Sequence, residues 1–186
     1  MIRDISGIGV GNGPYISIHD SFLALSTWVG SLTGADRVAL DSHPYFAFDS
    51  PAAADAIDTG TGAAAGGPWP GRACSRWASA FNTRWVRFVF RINSLHLIVE
   101  FSRTAFGVTI AGEFSVAIND CGLFMKGVTL TPTFAGGCAQ WEDSSTWSEG
   151  TKAGVMRMAM ASMDALGDWF FWTWKVILSD QIARGS

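Results

Sequence analysis

The amino-acid sequence predicts an α/β fold in which parallel strands alternate with helices. Short apolar runs are bounded by turn residues, and each run ends in polar or aromatic residues, as strands do at the carboxyl edge of a parallel sheet. Segments with apolar residues at helical spacing lie between these runs. With 48% apolar and 16% charged residues among its 186, the chain has the composition of a packed globular protein.

Four apolar runs are candidate strands. They lie at residues 16–20, 37–43, 106–111 and 168–174. The third run leads directly into Gly112 and Glu113. A complete (β/α)8 barrel needs roughly 250 residues, whereas this chain is shorter and has long loops. The pattern therefore predicts about four parallel strands with helices, which is an incomplete barrel of half the usual size.

The clearest helix is predicted at residues 152–166, where apolar residues recur at helical spacing and breakers are few. Shorter helices are predicted at 74–81 and 115–124. Two segments rich in small, polar or breaker residues, 51–70 and 127–148, are predicted as loops.

Charge and hydropathy exclude several classes of function. The net charge is −3 and no basic block occurs, so we predict no nucleic-acid partner and no membrane partner. The apolar runs are too short, or too interrupted by charge, to cross a bilayer. The first residues lack the apolar core of a signal peptide, which predicts either an intracellular N-terminus or the cut end of a longer chain. We predict no cofactor and no metal site.

Three stretches carry a resemblance to a known family. They are residues 40–48 (LDSHPYFAF, with a His-x-Tyr), 111–121 (AGEFSVAINDC) and 169–175 (WFFWTWK). In this order and at these intervals they resemble the segments of strands six, seven and eight in fungal exo-β-1,3-glucanases of glycoside hydrolase family 5. The resemblance implies that residues 1–175 are the C-terminal half of a (β/α)8 catalytic domain.

The same resemblance implies roles for five residues. Glu113 matches the nucleophile, one of the two carboxyl groups that retaining glycosidases place about 5–5.5 Å apart. Tyr45 matches the tyrosine that hydrogen-bonds the nucleophile, and His43 the histidine that helps set the protonation of the acid/base. Trp172 matches the floor of the sugar site, and Phe48 a ring at the pocket entrance. Without the motif, a strand-end glutamate is more often an ordinary surface carboxylate.

The three cysteines are Cys74, Cys121 and Cys138. The sequence alone allows one pair with one cysteine left over, or three free thiols. The resemblance implies a disulfide between Cys121 and Cys138, and with it an extracellular or cell-wall setting.

The sequence departs from the family pattern at the acid/base residue. That residue is the glutamate of an Asn-Glu-Pro motif, and no Asn-Glu pair occurs in this chain. General acid catalysis is typically worth about 10²–10⁴-fold in rate. We therefore predict that the chain alone is inactive.

Two segments do not match the family. Residues 85–101 interrupt the link into the third predicted strand, and residues 176–186 form a tail of unrelated sequence. Both are interpreted as translated introns in an incorrect gene model, since the codons of Val86–Arg87 and Phe101–Ser102 can hold splice-like signals. The alternative is a genuine extra β-hairpin or helix.

The resemblance implies a retaining glycoside hydrolase of the glucan 1,3-β-glucosidase type, acting on β-1,3-glucan. Two alternatives remain open at this point. One is a non-catalytic glucan-binding protein that keeps the aromatic pocket, and the other is a degenerate or misannotated gene product. Half a barrel has two open sheet edges, which predicts self-association through those edges.

Overall fold

The computed structural model describes residues 14–31, 37–49, 52–82, 85–88, 99–102, 108–122 and 125–172. The predicted tail at 176–186 and the last two residues of the predicted strand at 168–174 lie outside these ranges. None of the described helices is both long enough and apolar enough to span a membrane.

The described residues form six strands. They are β1 (Ile16–His19), β2 (Val38–Ser42), β3 (Trp85–Phe88), β4 (Val99–Ser102), β5 (Val108–Phe114) and β6 (Trp169–Phe171). One sheet has the order β1-β2-β5-β6, and all three of its pairings are parallel. The prediction of an α/β fold with four parallel strands is confirmed.

The strand that carries Glu113 is longer than predicted. The run at 106–111 predicts a strand that ends before Gly112, but β5 continues to Phe114. Its pairing with β6 shifts register between Ala111 and Phe114, which is a local irregularity of the ladder. Such irregularities re-aim side chains, and Glu113 lies within this one.

The helical segments are named in chain order. They are α1 (Trp69–Ala73), α2 (Ser79–Asn82), α3 (Ala139–Glu142) and α4 (Glu149–Leu166), with a π-helical turn (Cys74–Ala78) between α1 and α2 and 3-10 turns at Leu25–Trp28, Gly62–Ala64 and Ser144–Thr146. The predicted helix at 74–81 is confirmed as helical, although its first turn is of the π type and the helix already begins at Trp69. The predicted loop at 51–70 is therefore two residues too long.

Helix α4 confirms the helix predicted at 152–166 and starts three residues earlier. Ser148 caps its first turn, because the Ser148 Oγ accepts a hydrogen bond from the Thr151 N–H (3.0 Å). The helix ends at Leu166 and is followed by Gly167, whose φ of 76° is easily reached only by glycine.

The helix predicted at 115–124 is wrong for the residues that the structure describes, 115–122, which are not helical. Short polar side chains there bind the backbone locally instead. The Ser115 Oγ accepts from the Ala117 N–H (3.3 Å), and the Asn119 Oδ1 accepts from the Cys121 N–H (3.1 Å). Such bonds offer the backbone an alternative to the helix, and the apolar spacing that predicted a helix does not reveal them.

The core lies between the four-stranded sheet and the helices α1, α2 and α4. Phe114 of β5 and Met158 of α4 are fully buried there, as is Trp69 of α1. Trp77 packs against Phe46, with ring centroids 4.6 Å apart. The buried face of α4 thus closes one side of the sheet, and the other side keeps the polar residues of the strands.

Strands β3 and β4 pair antiparallel as a separate two-stranded sheet. They cover the two ends of the segment 85–101, whose middle lies outside the described residues. An antiparallel pair is the form that a genuine hairpin would take. The intron hypothesis concerns the gene and remains a prediction.

Gly154 of α4 provides a test of the helix–loop packing. A Cβ at this position would collide with the carbonyl oxygen of Ile57, whereas a Cβ at Gly71 in α1 would meet no atom within 4 Å. We expect Gly154→Ala to lower the free energy of unfolding by about 1–3 kcal/mol through overpacking. Gly71→Ala should raise it by about 0.5–1 kcal/mol. Urea unfolding of both variants checks this, and equal stabilisation by the two would contradict the packing described.

Candidate active site

Glu113 and Tyr45 meet at the carboxyl edge of the sheet. β2 and β5 are parallel and in register, with Ser42 opposite Ala111, so residues just beyond these two positions emerge side by side. The Tyr45 hydroxyl donates a hydrogen bond to the Glu113 Oε2 (2.9 Å). The two residues are 68 positions apart in the sequence, and only the parallel pairing brings them together.

The environment of Tyr45 keeps its hydroxyl protonated. Burial is the main cause, followed by the hydrogen bond to Glu113 and the negative charge of that carboxylate, and together they raise the pKa of Tyr45 well above its ordinary value of 10.0. The hydroxyl is therefore a permanent donor near neutral pH. It fixes the orientation of one carboxylate oxygen of Glu113.

His43 lies between two carboxylates. Its Nδ1 is 3.5 Å from the Glu113 Oε2, and its Nε2 is 3.5 Å from the Asp41 Oδ1. The Ser17 Oγ donates to the Asp41 Oδ2 (3.3 Å), and the His19 ring packs edge-on against His43 with centroids 4.5 Å apart. A polar row thus crosses three strands, β1, β2 and β5, on one face of the sheet.

Asp41 and Gly112 complete this row, and sequence analysis did not single them out. Gly112 is required because a Cβ there would collide with the Asp41 Oδ1. Asp41 precedes His43 by two positions, so strand alternation places both on the same face. That alternation was the signal in the sequence that would have found Asp41.

The exposed aromatic rings of Phe48 and Trp172 have no side-chain contact with Glu113 among the described contacts. The Phe48 ring packs edge-on against Tyr45 (5.4 Å) and is 56% exposed. Trp172 is 59% exposed, and its backbone N–H donates to the Phe114 carbonyl (2.8 Å). Trp172 therefore lies at the same sheet edge as Glu113. Its link to that strand is the backbone hydrogen bond to Phe114, the neighbour of Glu113.

A cavity of about 800 Å³ has His43, Tyr45 and Phe48 in its wall, but neither Glu113 nor Trp172. Its other walls include Leu40 and Thr109 of the sheet, together with residues of the helical layer such as Trp77 and Phe81. The cavity thus lies mainly on the helix side of β2 and β5. Glu113 is not in this lining, so the contacts of Glu113 with Tyr45 and His43, and not cavity volume, identify the candidate site.

Asp120 anchors the segment that follows β5. It is completely buried and accepts hydrogen bonds from the Thr133 N–H (2.6 Å), the Thr133 Oγ1 (2.7 Å) and the Phe134 N–H (3.1 Å). The adjacent Cys121 is disulfide-bonded to Cys138, and Cys74 is free and exposed. The carboxylate and the disulfide together hold the residues around Thr133 against the end of the site strand.

The hydrogen bonds to Asp120 outweigh its burial. Burial alone raises the pKa of a carboxyl, but the bonds from Thr133 and Phe134 favour the charged form, and the net result is that the pKa of Asp120 lies below its ordinary value. Lys126, with its Nζ 3.5 Å from the Asp120 Oδ2, adds a positive charge nearby. Sequence analysis missed Asp120, because its partners belong to a loop 13 positions away that has no periodic pattern.

Among the described residues, no group of three or more His, Cys, Asp or Glu side chains is arranged to hold a metal ion. The polar row around His43 brings a histidine within 3.5 Å of two carboxylates, those of Glu113 and Asp41. One carboxylate is aimed by a tyrosine, and a histidine lies in contact range.

Replacement of Asp120 by asparagine tests the anchor. The new side-chain amide keeps one acceptor oxygen but places its NH2 group against either the Thr133 or the Phe134 N–H donor, so we expect Asp120→Asn to lower the free energy of unfolding by about 1–3 kcal/mol at pH 7. Asp164→Asn, at an exposed position of α4, is the control and should change it by less than about 0.5 kcal/mol. Chemical denaturation measures both.

The same variant has a predicted pH dependence. Because the folded-state pKa of Asp120 is depressed, its stabilisation is complete above the ordinary carboxyl pKa of about 3.9 and is lost as the pH falls through the folded value. The stability difference between the wild type and Asp120→Asn should therefore shrink below about pH 4. A difference that does not change with pH would contradict the assignment.

The charge of Glu113 is tested through Tyr45. Glu113→Gln removes the negative charge, so we expect the pKa of Tyr45 to fall, while burial keeps it above 10.0. NMR titration of the tyrosine ring in a Tyr15→Phe background measures this directly. Glu142→Gln, at an exposed carboxylate of α3, should leave the titration unchanged. An equal titration of Tyr45 in Glu113→Gln would show that the two groups are not in contact.

Comparison with known proteins gives the following matches. No family model matches the chain. It is 27% identical over 187 residues to a glucan 1,3-beta-glucosidase of Lachancea kluyveri, a match that covers 89% of this chain and 35% of that protein. It is 29% identical over 189 residues to a probable glucan 1,3-beta-glucosidase D of Aspergillus clavatus, a match that covers 87% of this chain and 19% of that protein.

A shorter match, 33% identical over 78 residues, is to a glucan 1,3-beta-glucosidase of Schwanniomyces occidentalis and covers 36% of this chain. The chain thus spans between about a fifth and a third of the length of the first two curated relatives. Over most of its own length it is similar to part of proteins named glucan 1,3-beta-glucosidase, and this confirms the resemblance that the three motifs indicated.

Proposed function

We propose that this chain is the nucleophile-bearing part of a retaining glycoside hydrolase of the glucan 1,3-β-glucosidase type, in glycoside hydrolase family 5. The observation that carries the proposal is the Tyr45–Glu113 hydrogen bond at the carboxyl edge of two adjacent parallel strands. The names of the similar proteins support the choice of reaction and substrate. In this proposal the four parallel strands are half of a (β/α)8 barrel.

The chemistry follows from the geometry of Glu113. A carboxylate oxygen forms a bond to the anomeric carbon of the sugar while the glycosidic carbon–oxygen bond breaks, and the electron pair leaves with the oxygen. Tyr45 holds the second oxygen of Glu113, which aims the first. His43, in contact range of both Glu113 and Asp41, stabilises the two carboxylates when it is protonated.

The leaving oxygen also needs a proton. In the proposed reaction class a second carboxyl group supplies it, and the chain has no Asn-Glu pair to provide that group. A sugar alkoxide is a poor leaving group, so Glu113 alone cannot expel an ordinary glucan chain at a useful rate. We infer that these 186 residues do not supply the acid and do not by themselves hydrolyse β-1,3-glucan.

The sheet edges support a requirement for a partner. In the described part of the chain, β1 pairs only with β2 and β6 only with β5. Unpaired edges of a parallel sheet favour association, either with a complementary half or with a second copy. The proposed setting is extracellular or in the cell wall, in agreement with the Cys121–Cys138 disulfide. No cofactor, nucleic acid or membrane takes part in the proposal.

A second candidate function is glucan binding without catalysis. Phe48 and Trp172 are aromatic and more than half exposed near Glu113, and flat rings of this kind offer stacking faces for pyranose rings. This function does not require an acid. It predicts that the folded chain retains glucan while Glu113 is dispensable for binding.

An activated substrate tests the proposed nucleophilic attack by Glu113 without the need for an acid. A 2-deoxy-2-fluoro-β-glucoside of 2,4-dinitrophenol releases a phenolate that needs no proton, while the fluorine slows breakdown of the glycosyl–enzyme. We expect Glu113 to be labelled covalently by this reagent, as measured by mass spectrometry of the peptide that contains it. Laminarin and an ordinary aryl β-glucoside should not be hydrolysed by the same preparation.

Glu113→Gln is the matched control and should remain unlabelled, while Glu142→Gln should be labelled as the wild type is. Labelling that persists in Glu113→Gln would place the nucleophile elsewhere. Folded wild-type chain without any label would favour the binding function. Hydrolysis of laminarin that is lost in Glu113→Gln would show that another group supplies the proton, and the inference about the acid would be wrong.

A further inference from the structure

A second cavity, of about 450 Å³, lies apart from Glu113 at the N-terminal end of α4; we name it the Trp147 cavity. One wall is the segment 54–58 and the other is built from residues between 134 and 151. Its volume lies in the range of small-molecule sites. Neither Tyr45 nor His43, which contact Glu113, belongs to its lining.

Glycines on α4 create the space for its first wall. A Cβ at Gly150 would lie 3.0 Å from the Asp58 carbonyl oxygen, and one at Gly154 would collide with the Ile57 carbonyl oxygen. The segment therefore lies directly against the helix, which holds Asp58 at the cavity. The wall is fixed by the packing of backbone on helix and not by flexible side chains.

Aromatic rings form the opposite wall. Trp147 packs edge-on against Trp141 (5.6 Å), which in turn packs against Phe134 (6.4 Å). The Trp147 Nε1 donates to the Gln140 carbonyl oxygen (2.8 Å), so this indole is held in place. The Trp141 Nε1 is buried and has no hydrogen-bond partner among the described residues, which leaves one donor of this wall uncommitted.

The polar groups of the cavity suit an uncharged, hydroxyl-rich ligand. Its lining, as far as the described residues form it, combines the carboxylates of Asp55 and Asp58 with amide and hydroxyl groups and contains no lysine or arginine. The amide and hydroxyl side chains are those of Gln140, Thr146, Ser148 and Thr151. Carboxylates and amides accept hydrogen bonds from sugar hydroxyls, and indole faces stack on the C–H face of a pyranose ring. The Asp55 carboxylate is ion-paired with Arg72 (2.6 Å), so the repulsion of an anionic ligand comes mainly from Asp58.

We propose that the Trp147 cavity is a saccharide-binding site that takes a pyranose unit of a gluco-oligosaccharide, separate from the site of Glu113. Its place in the fold agrees with this use. α4 runs into β6 through Gly167, so the N-terminal end of α4 lies toward the end of the sheet where the parallel strands finish. The cavity and Glu113 thus open toward the same end of the molecule. Only the choice of a β-1,3-linked probe rests on the proposed function.

Titration of the full chain with laminarihexaose tests the proposal through the tryptophan indole NMR signals, assigned with single Trp→Phe variants. We expect the Trp141 and Trp147 signals to shift. Trp147→Ala should raise the dissociation constant reported by the Trp141 shift at least about tenfold, since aromatic anchors dominate such contacts. Asp58 lies on an exposed segment, so Asp58→Ala should raise this dissociation constant several-fold without affecting the fold. It is the variant to use if Trp147→Ala does not fold.

Trp28→Ala is the matched control. Trp28 is also partly buried, and its Nε1 also donates to a backbone carbonyl, that of Asp20 (3.3 Å), but it does not line the Trp147 cavity. Its loss should leave the titration unchanged. Trp172→Ala should likewise leave the Trp147 shift in place while removing any shift that belongs to the Glu113 site.

The outcomes separate this inference from the proposed function. Shifts that are confined to Trp172 and are lost in Trp172→Ala would overturn the second site and leave the proposed function standing. Absence of any shift at Trp141 and Trp147 with laminarihexaose overturns the second site, whatever the fluoroglucoside shows at Glu113. A shift caused by tetramethylammonium chloride and not by the sugar would replace the saccharide with a cation held by the indole faces.

Discussion

The hydrogen bond from Tyr45 to Glu113 depends on one constraint, the parallel register of β2 and β5. A slip of one residue in that register would turn Asp41 and His43 to the other face of the sheet and separate them from Glu113. The constraint is enforced from both sides. On one face Phe114 is buried in the core, and on the other Gly112 leaves only enough room for the carboxylate of Asp41. The packing on both faces of the sheet therefore sets the geometry of the candidate site.

The anchor at Asp120 extends that constraint beyond the strand. Burial of a carboxylate costs free energy unless its oxygens accept hydrogen bonds. Here they accept from two backbone N–H groups and one hydroxyl. The Cys121–Cys138 disulfide reinforces the same connection. Since the Thr133 Oγ1 also accepts from the Ala52 N–H (3.4 Å), the anchor reaches the segment that follows β2 as well. The two strands that carry the site are thus tied together at their ends as well as along the sheet.

Much of the fold follows from patterns that the sequence displays openly. The four parallel strands were predictable because they are short apolar runs bounded by turn residues, and α4 because its apolar residues recur at helical spacing. The non-helical structure of residues 115–122 was not predictable. The side chains of Ser115 and Asn119 form local hydrogen bonds that compete with a helix, and residue spacing does not reveal them. Of the candidate site, the motif resemblance pointed to Tyr45 and His43. The Trp147 cavity lies in a segment that composition marks only as loop, where no periodicity exists to predict it.

In the proposed function, the orientation of Glu113 and the donation of the proton depend on different parts of the protein. The contacts that aim Glu113 come from β2 and β5, and both strands lie within this chain. The alignment of Glu113 therefore depends on contacts within this chain, whereas the proposed reaction also needs a proton from a second carboxyl group. The two tasks also differ in what they ask of the protein: one needs a fixed donor such as the Tyr45 hydroxyl, and the other needs a second carboxyl on the opposite side of the bound sugar. In the proposed reaction, loss of the second carboxyl group should thus abolish turnover of glucan before it disturbs the geometry of Glu113.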